Sequence, residues 1–158
     1  MALGWFKRGA ATTAIFALWG PFVASLLVAG LFLWGRSLAP PSAPTMSATD
    51  LLLAGFLGAL LPQLALGLVT GLIMSFASPR IRSVRGWLVR AAVSASSLGV
   101  GAITLLLWAS NAADGFIPAM VMVIAHVIPA VLGALMSAAA TLRLRPRPSA
   151  EPTAEVLE

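Results

Sequence analysis

The sequence predicts an all-α integral membrane protein, a bundle of four transmembrane helices arranged as two helical hairpins. Hydrophobic residues make up 59% of its 158 residues and charged residues only 9%, whereas a soluble domain carries about 25% charged residues. Because so few charges cannot cover a water-exposed surface, lipid must cover most of the outside. The apolar residues also fall into four long runs, with most of the positive charges between or beyond them on one side.

The four apolar runs predict the membrane spans. A helix needs about 20 apolar residues to cross about 30 Å of hydrocarbon. The first run is longer than the apolar core of a signal peptide, which is about 7–15 residues, so we expect it to remain uncleaved. A proline-rich loop follows it, and proline favours extended backbone there. The predicted spans are residues 10–34, 51–77, 91–108 and 116–141.

Positive charge predicts the orientation. With a cytoplasmic N-terminal segment at residues 1–9, nine of the ten Lys and Arg residues fall on the cytoplasmic side, and only Arg36 falls outside. This distribution satisfies the positive-inside rule with both termini cytoplasmic. The tail, residues 143–158, is rich in Pro, Ala and Glu and is expected to be disordered. The excess of Arg over Lys and the many Ala, Leu, Gly and Val residues are typical of a GC-rich bacterial genome, so we expect a bacterial inner-membrane protein.

A basic loop joins the second and third spans. It contains Arg80, Arg82, Arg85 and Arg90. These arginines are best interpreted as topology determinants, and they also suit contact with anionic lipid headgroups. The net charge of +5 therefore does not indicate nucleic-acid binding.

Tryptophan and short sequence matches add two further predictions. Trp5, Trp34, Trp87 and Trp108 bracket the first and third spans, as an aromatic belt at both interfaces would. The Gly-Trp pairs that open these spans match, and residues 71–75 match residues 133–137. The matches suggest two copies of one hairpin related by an axis along the membrane normal. The alternative is that the matches arise by chance, because a few residue types (Leu, Ala, Gly and Trp) recur throughout the spans.

Prolines and glycines mark predicted kinks and packing faces. Pro21, Pro62 and Pro129 lie within the spans, where each removes a main-chain donor and frees the carbonyl four residues earlier. Small residues let helices approach closely in a membrane. The predicted helix-packing positions are Gly67, Gly71, Gly99 and Gly101.

The predicted midplane polar site consists of Gln63 and His126. His126 is the only ionisable residue deep in any span, and such residues suggest function. We hypothesise that the two residues face each other inside the bundle. They could hold helices together, for about 0.6–2 kcal/mol, or serve a proton relay or ligand. No metal site is expected, because one His without a carboxylate at that depth offers too few ligands, and the chain has no Cys.

The few polar residues within the spans limit the functions that the sequence can predict. No nucleophile–base arrangement or phosphate-binding loop is present, so we expect neither an enzyme nor a cofactor. The leading expectation is a non-catalytic accessory or scaffolding subunit that binds another membrane protein. The alternative is a small homo-oligomeric transporter or channel with Gln63 and His126 along its path.

The second half of the sequence also carries a family resemblance. The second span ends in an arginine cluster before Trp87, the third span is short, and the last contains Ala125-His126-Val127 followed by small residues. Over about residues 50–142 the chain resembles uncharacterised actinobacterial membrane proteins with four spans. The resemblance implies the same topology and says nothing about mechanism.

Overall fold

In the described part of the chain the fold is all-α with four helices, as predicted. The computed structural model describes residues 2–38, 40, 46–78, 81, 83–109, 121 and 123–144. Each of the four helices is long and apolar enough to cross a membrane. They are α1 (Ala2–Ser37), α2 (Ala48–Ala77), α3 (Val84–Ala109), and a fourth that begins with a π-helical turn (Val123–Val127), continues as α4 (Ile128–Thr141) and ends in a 3₁₀ turn (Leu142–Leu144).

The helices extend beyond the predicted apolar spans. Residues 2–9, predicted as a flanking segment, belong to α1. Arg85 and Arg90, predicted in the basic loop, belong to the first turns of α3. Arginine is a good helix former, and its long side chain can reach headgroups from a helix end. Arg80, Arg82, the first part of the predicted fourth span and the tail from residue 145 lie outside the described residues.

A reciprocal cap fixes where α2 begins. The Ser47 hydroxyl accepts a hydrogen bond from the Asp50 main-chain N–H at 3.1 Å and donates one to the Asp50 carboxylate at 2.6 Å. Such a cap satisfies an otherwise unpaired donor of the first turn, and the carboxylate also interacts favourably with the helix dipole.

The three predicted kink prolines occupy two kinds of position. α1 and α2 continue as α-helix through Pro21 and Pro62. Pro129 is the second residue of α4, directly after the π-helical turn. A proline in a first turn needs no main-chain partner for its missing N–H. In its described residues the fourth helix therefore departs from α-helical geometry in the turn that contains His126 and in its final 3₁₀ turn.

α1 is the central helix of the bundle. It packs along α2 and also against α4, whereas α3 packs mainly on α4 and the π-helical turn. α1 and α2 run antiparallel, with Gly9 near Ser75 at one end and Ala29 near Gly55 toward the other. This order leaves much of α2 and α3 facing outward.

One end of the bundle holds the largest buried core. Phe16, Met74 and Trp87 pack there with alanines of α3 and α4. Trp87 is 1% exposed, and its indole N–H donates to the Ala138 carbonyl and the Thr141 hydroxyl, both at 3.2 Å. The belt interpretation is therefore wrong for Trp87, because its polar edge is satisfied inside the protein. Trp34 and Trp108 are exposed.

Candidate functional site

Gln63 is the centre of the candidate site. It lies halfway along α2 and is only 2% exposed. Its amide nitrogen Nε2 donates a hydrogen bond of 3.1 Å to the main-chain carbonyl of His126. The bond ties α2 to the fourth helix across the bundle. It also supplies the partner that a polar group needs when water is absent.

His126 takes part in this contact through its backbone. The sequence predicted a freed carbonyl at Ala125, four residues before Pro129, whereas Gln63 binds the next carbonyl along. Both carbonyls lie in the π-helical turn, where main-chain pairing departs from the regular α-helical pattern. In the His126 side chain, Nδ1 is buried and has no hydrogen-bond partner among the described residues. The structure therefore brings the two predicted residues together without pairing their side chains.

Three further buried polar side chains were missed by sequence reasoning. The hydroxyls of Ser25, Thr70 and Ser137 are buried and have no hydrogen-bond partner within the described part of the chain. Thr70 lies seven residues after Gln63, and Ser137 eleven after His126, so each pair shares a helix face. That spacing could have indicated that Thr70 and Ser137 lie near the predicted polar site. Small polar residues in a span also serve as ordinary packing residues, so the spacing alone did not identify them.

A small cavity lies beside Gln63. Its volume is about 10 Å³, close to the minimum of about 10–15 Å³ that holds one water molecule. Gln63 and Thr70 supply its polar lining, Gly20, Pro21 and Gly67 lie along its α1–α2 side, and alanines of α3 and α4 complete it. The space suits one water molecule and is too small for a solute. No three His, Cys, Asp or Glu side chains converge in the described residues.

The predicted packing glycines behave in two ways. A side chain at Gly67 would meet the Phe16 carbonyl and Pro21, and one at Gly71 would meet the Cβ of Phe16 at 2.8 Å, so both glycines pack on α1. A side chain at Gly99 would meet Val127 at 3.1 Å. Gly101 has nothing within 4 Å and faces outward.

A close crossing of α1 and α4 was not predicted. Gly20 of α1 and Gly133 of α4 meet backbone to backbone, and a Cβ on Gly20 would lie 2.9 Å from the Ser137 hydroxyl. A Cβ on Gly133 would overlap the Gly20 carbonyl oxygen, so the close approach depends on the absence of a side chain at this position. This crossing fixes α4 against the central helix beside the cavity.

Comparison with known proteins adds no assignment. No protein-family model, curated protein or solved structure matches the chain. The resemblance to four-span actinobacterial proteins therefore stays a prediction.

The backbone contact predicts an asymmetry between two substitutions. We expect Gln63→Met to lower the free energy of unfolding by about 1–2 kcal/mol, because the His126 carbonyl loses its donor in an apolar interior. His126→Phe keeps that carbonyl and should cost clearly less. Reversible unfolding in detergent, with the double variant completing the cycle, measures both. If the two single variants lose equal free energy of unfolding and the double variant loses less than their sum, the two side chains instead act as a pair.

Proposed function

We propose that this chain is a non-catalytic accessory or scaffolding subunit that binds another membrane protein through the outer face of α3. This face consists of Ser97, Gly101 and Thr104, which recur every three or four residues and are all exposed. The single observation that carries the proposal is the open space around Gly101, because a small-xxx-small pair such as Ser97 and Gly101 is a common contact between membrane helices.

The other predicted packing glycines support this assignment by being occupied. Gly67 and Gly71 pack on α1, and Gly99 packs on Val127. They stabilise the bundle itself and offer no surface to a partner. On the outer face of α3 the Thr104 hydroxyl donates to the Val100 carbonyl at 2.9 Å. That internal bond lets the face enter an apolar contact without an unpaired donor.

A homo-oligomeric transporter or channel is the second candidate. It is favoured by the π-helical turn that carries His126 and by the buried, unpartnered Nδ1 of that residue. π-helical turns often occur at functional sites, and ionisable groups inside a span commonly mark transport paths. In this case the outer face of α3 would contact another copy of the chain.

Native mass spectrometry of the protein extracted from its own membrane tests the proposal. We expect a foreign subunit at fixed stoichiometry, lost in Gly101→Leu because the added side chain holds the helices apart. Gly58→Leu is the matched control, since Gly58 is exposed on α2 and also has nothing within 4 Å. A homo-oligomer without a partner would support transport. If Gly101→Leu and Gly58→Leu lose the foreign subunit equally, the interface is not specific to the outer face of α3.

We also propose a bacterial inner-membrane location with both termini cytoplasmic. In support, the Gly9–Ser75 and Trp87–Thr141 hydrogen bonds gather four helix ends at one end of the bundle, where most of the described positive residues also lie. The chain has no cysteine, so a thiol reagent labels this protein only at a cysteine introduced by substitution. Leu38→Cys should react with a membrane-impermeant maleimide in intact cells, and Phe6→Cys only after lysis. The reverse labelling pattern would show that both termini lie outside the cytoplasm.

The two-hairpin repeat remains a proposal based on sequence matches. Gly71 and Gly133 occupy matched positions, and both contact α1. If the second hairpin repeated the first in isolation, Gly133 would contact α3 in the way that Gly71 contacts α1. The contact between Gly133 and α1 therefore ties the two hairpins together. Expression of residues 1–80 and 81–158 as separate chains provides a test. Autonomous repeats should each insert and then copurify, whereas a hairpin that fails to insert alone would argue against them.

A further inference from the structure

A lateral groove runs between α2 and α3 at the end where Trp87 is buried. Its volume is about 740 Å³, within the range of about 300–1,000 Å³ typical of small-molecule sites. A second hollow of about 290 Å³ adjoins it, and Ile73, Ile81 and Arg90 line both. Arg90 therefore lies where the two spaces meet.

Arg90 brings a positive charge into this groove, and no carboxylate of the described residues lies nearby. Among the described residues Asp50 is the only carboxylate. It lies in the first turn of α2, whereas Arg90 faces the last turns of that helix. Arg90 is exposed and lies six residues into α3, about 9 Å along the helix axis. That position fits the boundary between headgroups and hydrocarbon.

The two walls of the groove differ in polarity. Ser94 and Ser97 follow Arg90 along the α3 wall, whereas α2 contributes Ile73 to the groove and Phe76 to the adjoining hollow. Val93 and Leu98 extend the apolar lining along α3. An occupant that matches both walls carries an anionic group at one end and a hydrocarbon chain beyond it.

We infer that this groove binds one anionic phospholipid. The phosphate pairs with the Arg90 guanidinium, whose planar fork suits phosphate oxygens, and Ser94 can donate a further hydrogen bond. An acyl chain lies along Ile73, Val93 and Leu98. A water-soluble phosphate would satisfy Arg90 but would leave these apolar walls uncovered. The groove adjoins the proposed outer face of α3 at Ser97, whereas Arg90 and Ser94 precede that face along the helix and Gly101 and Thr104 lie outside the groove lining.

Native mass spectrometry of the full chain with added lipid tests this site. Phosphatidylglycerol and phosphatidylcholine with identical acyl chains are titrated separately. We expect one phosphatidylglycerol to bind in preference to phosphatidylcholine, and Arg90→Gln to weaken phosphatidylglycerol binding about fivefold, the effect of one basic residue near a membrane surface. Arg85→Gln, which removes an exposed arginine of α3 outside the groove lining, should leave binding unchanged.

A second variant separates a defined site from diffuse charge attraction. Val93→Trp keeps every positive charge and fills part of the groove, so it should also abolish the preferred adduct, while unfolding midpoints confirm that each variant is folded. Equal weakening in Arg85→Gln, no preference over phosphatidylcholine, or full binding to Val93→Trp would each overturn the proposal. Displacement of the lipid by inorganic phosphate would show that the site takes a soluble anion instead.

Discussion

Gly133→Ala should lower the stability of the bundle far more than alanine at any outward-facing glycine. A Cβ at this position would overlap the Gly20 carbonyl oxygen and lie 3.0 Å from its carbon. Both are main-chain atoms of α1, so no side-chain rotation can make room and the helices must separate. We expect a loss of about 3 kcal/mol, at the upper end of the usual cost of overpacking. The unfolding midpoint of the purified protein in detergent measures it.

Outward-facing glycines provide the matched controls. Gly58 and Gly101 have nothing within 4 Å, so alanine should be tolerated or should stabilise slightly, since alanine favours a helix over glycine by about 1 kcal/mol. Gly67→Ala should resemble Gly133→Ala, because its Cβ would meet the Phe16 carbonyl and the Pro21 ring. Similar midpoints for Gly133→Ala and Gly101→Ala would contradict the close crossing.

Trp87→Ala is the second substitution with a large expected effect. The indole fills the core with Phe16 and Met74, and its removal leaves a cavity and takes away the donor to Ala138 and Thr141. We expect a loss of about 3–5 kcal/mol, as for other buried large-to-small changes. The same unfolding assay applies, with Trp108→Ala as control because that side chain is 80% exposed.

Trp87→Phe separates packing from hydrogen bonding. Phenylalanine keeps most of the ring contact and removes the N–H. The Ala138 carbonyl still accepts from the Thr141 hydroxyl at 2.9 Å, so no acceptor is left unpaired and the cost should fall to about 1 kcal/mol. A loss as large as that of Trp87→Ala would show that the hydrogen bonds, not the ring, hold this end together.

The helical fold was predictable because its cause is local. Apolar run length decides whether a segment can cross hydrocarbon, and all four runs are long enough. Helix ends were less predictable, because Arg85 and Arg90 interrupt the apolar pattern without interrupting the helix. The burial of Trp87 depends on the carbonyl of Ala138, more than fifty residues away, and no local pattern reports such a partner.

The candidate site was predictable only in part for the same reason. The depth of Gln63 and His126 along their helices indicated that they could meet, and the structure brings them together through the His126 backbone. The carbonyl lies in a π-helical turn shortly before Pro129, and the sequence pattern did not predict that turn. Similarly, Gly133 and Gly101 look alike in sequence, yet one is pressed against α1 and the other has open space. Only the neighbouring helix distinguishes them.

The central claim, that the outer face of α3 binds another membrane protein, is tested most directly by cross-linking in the native membrane. The chain has no cysteine, so a thiol-directed photo-cross-linker on Gly101→Cys reports that face alone, and Gly58→Cys reports α2 as control. We predict a cross-linked band at position 101 that contains a different membrane protein and is absent at position 58. Cross-linking of Gly101→Cys only to another copy of the chain, or equally at both positions, would contradict the claim.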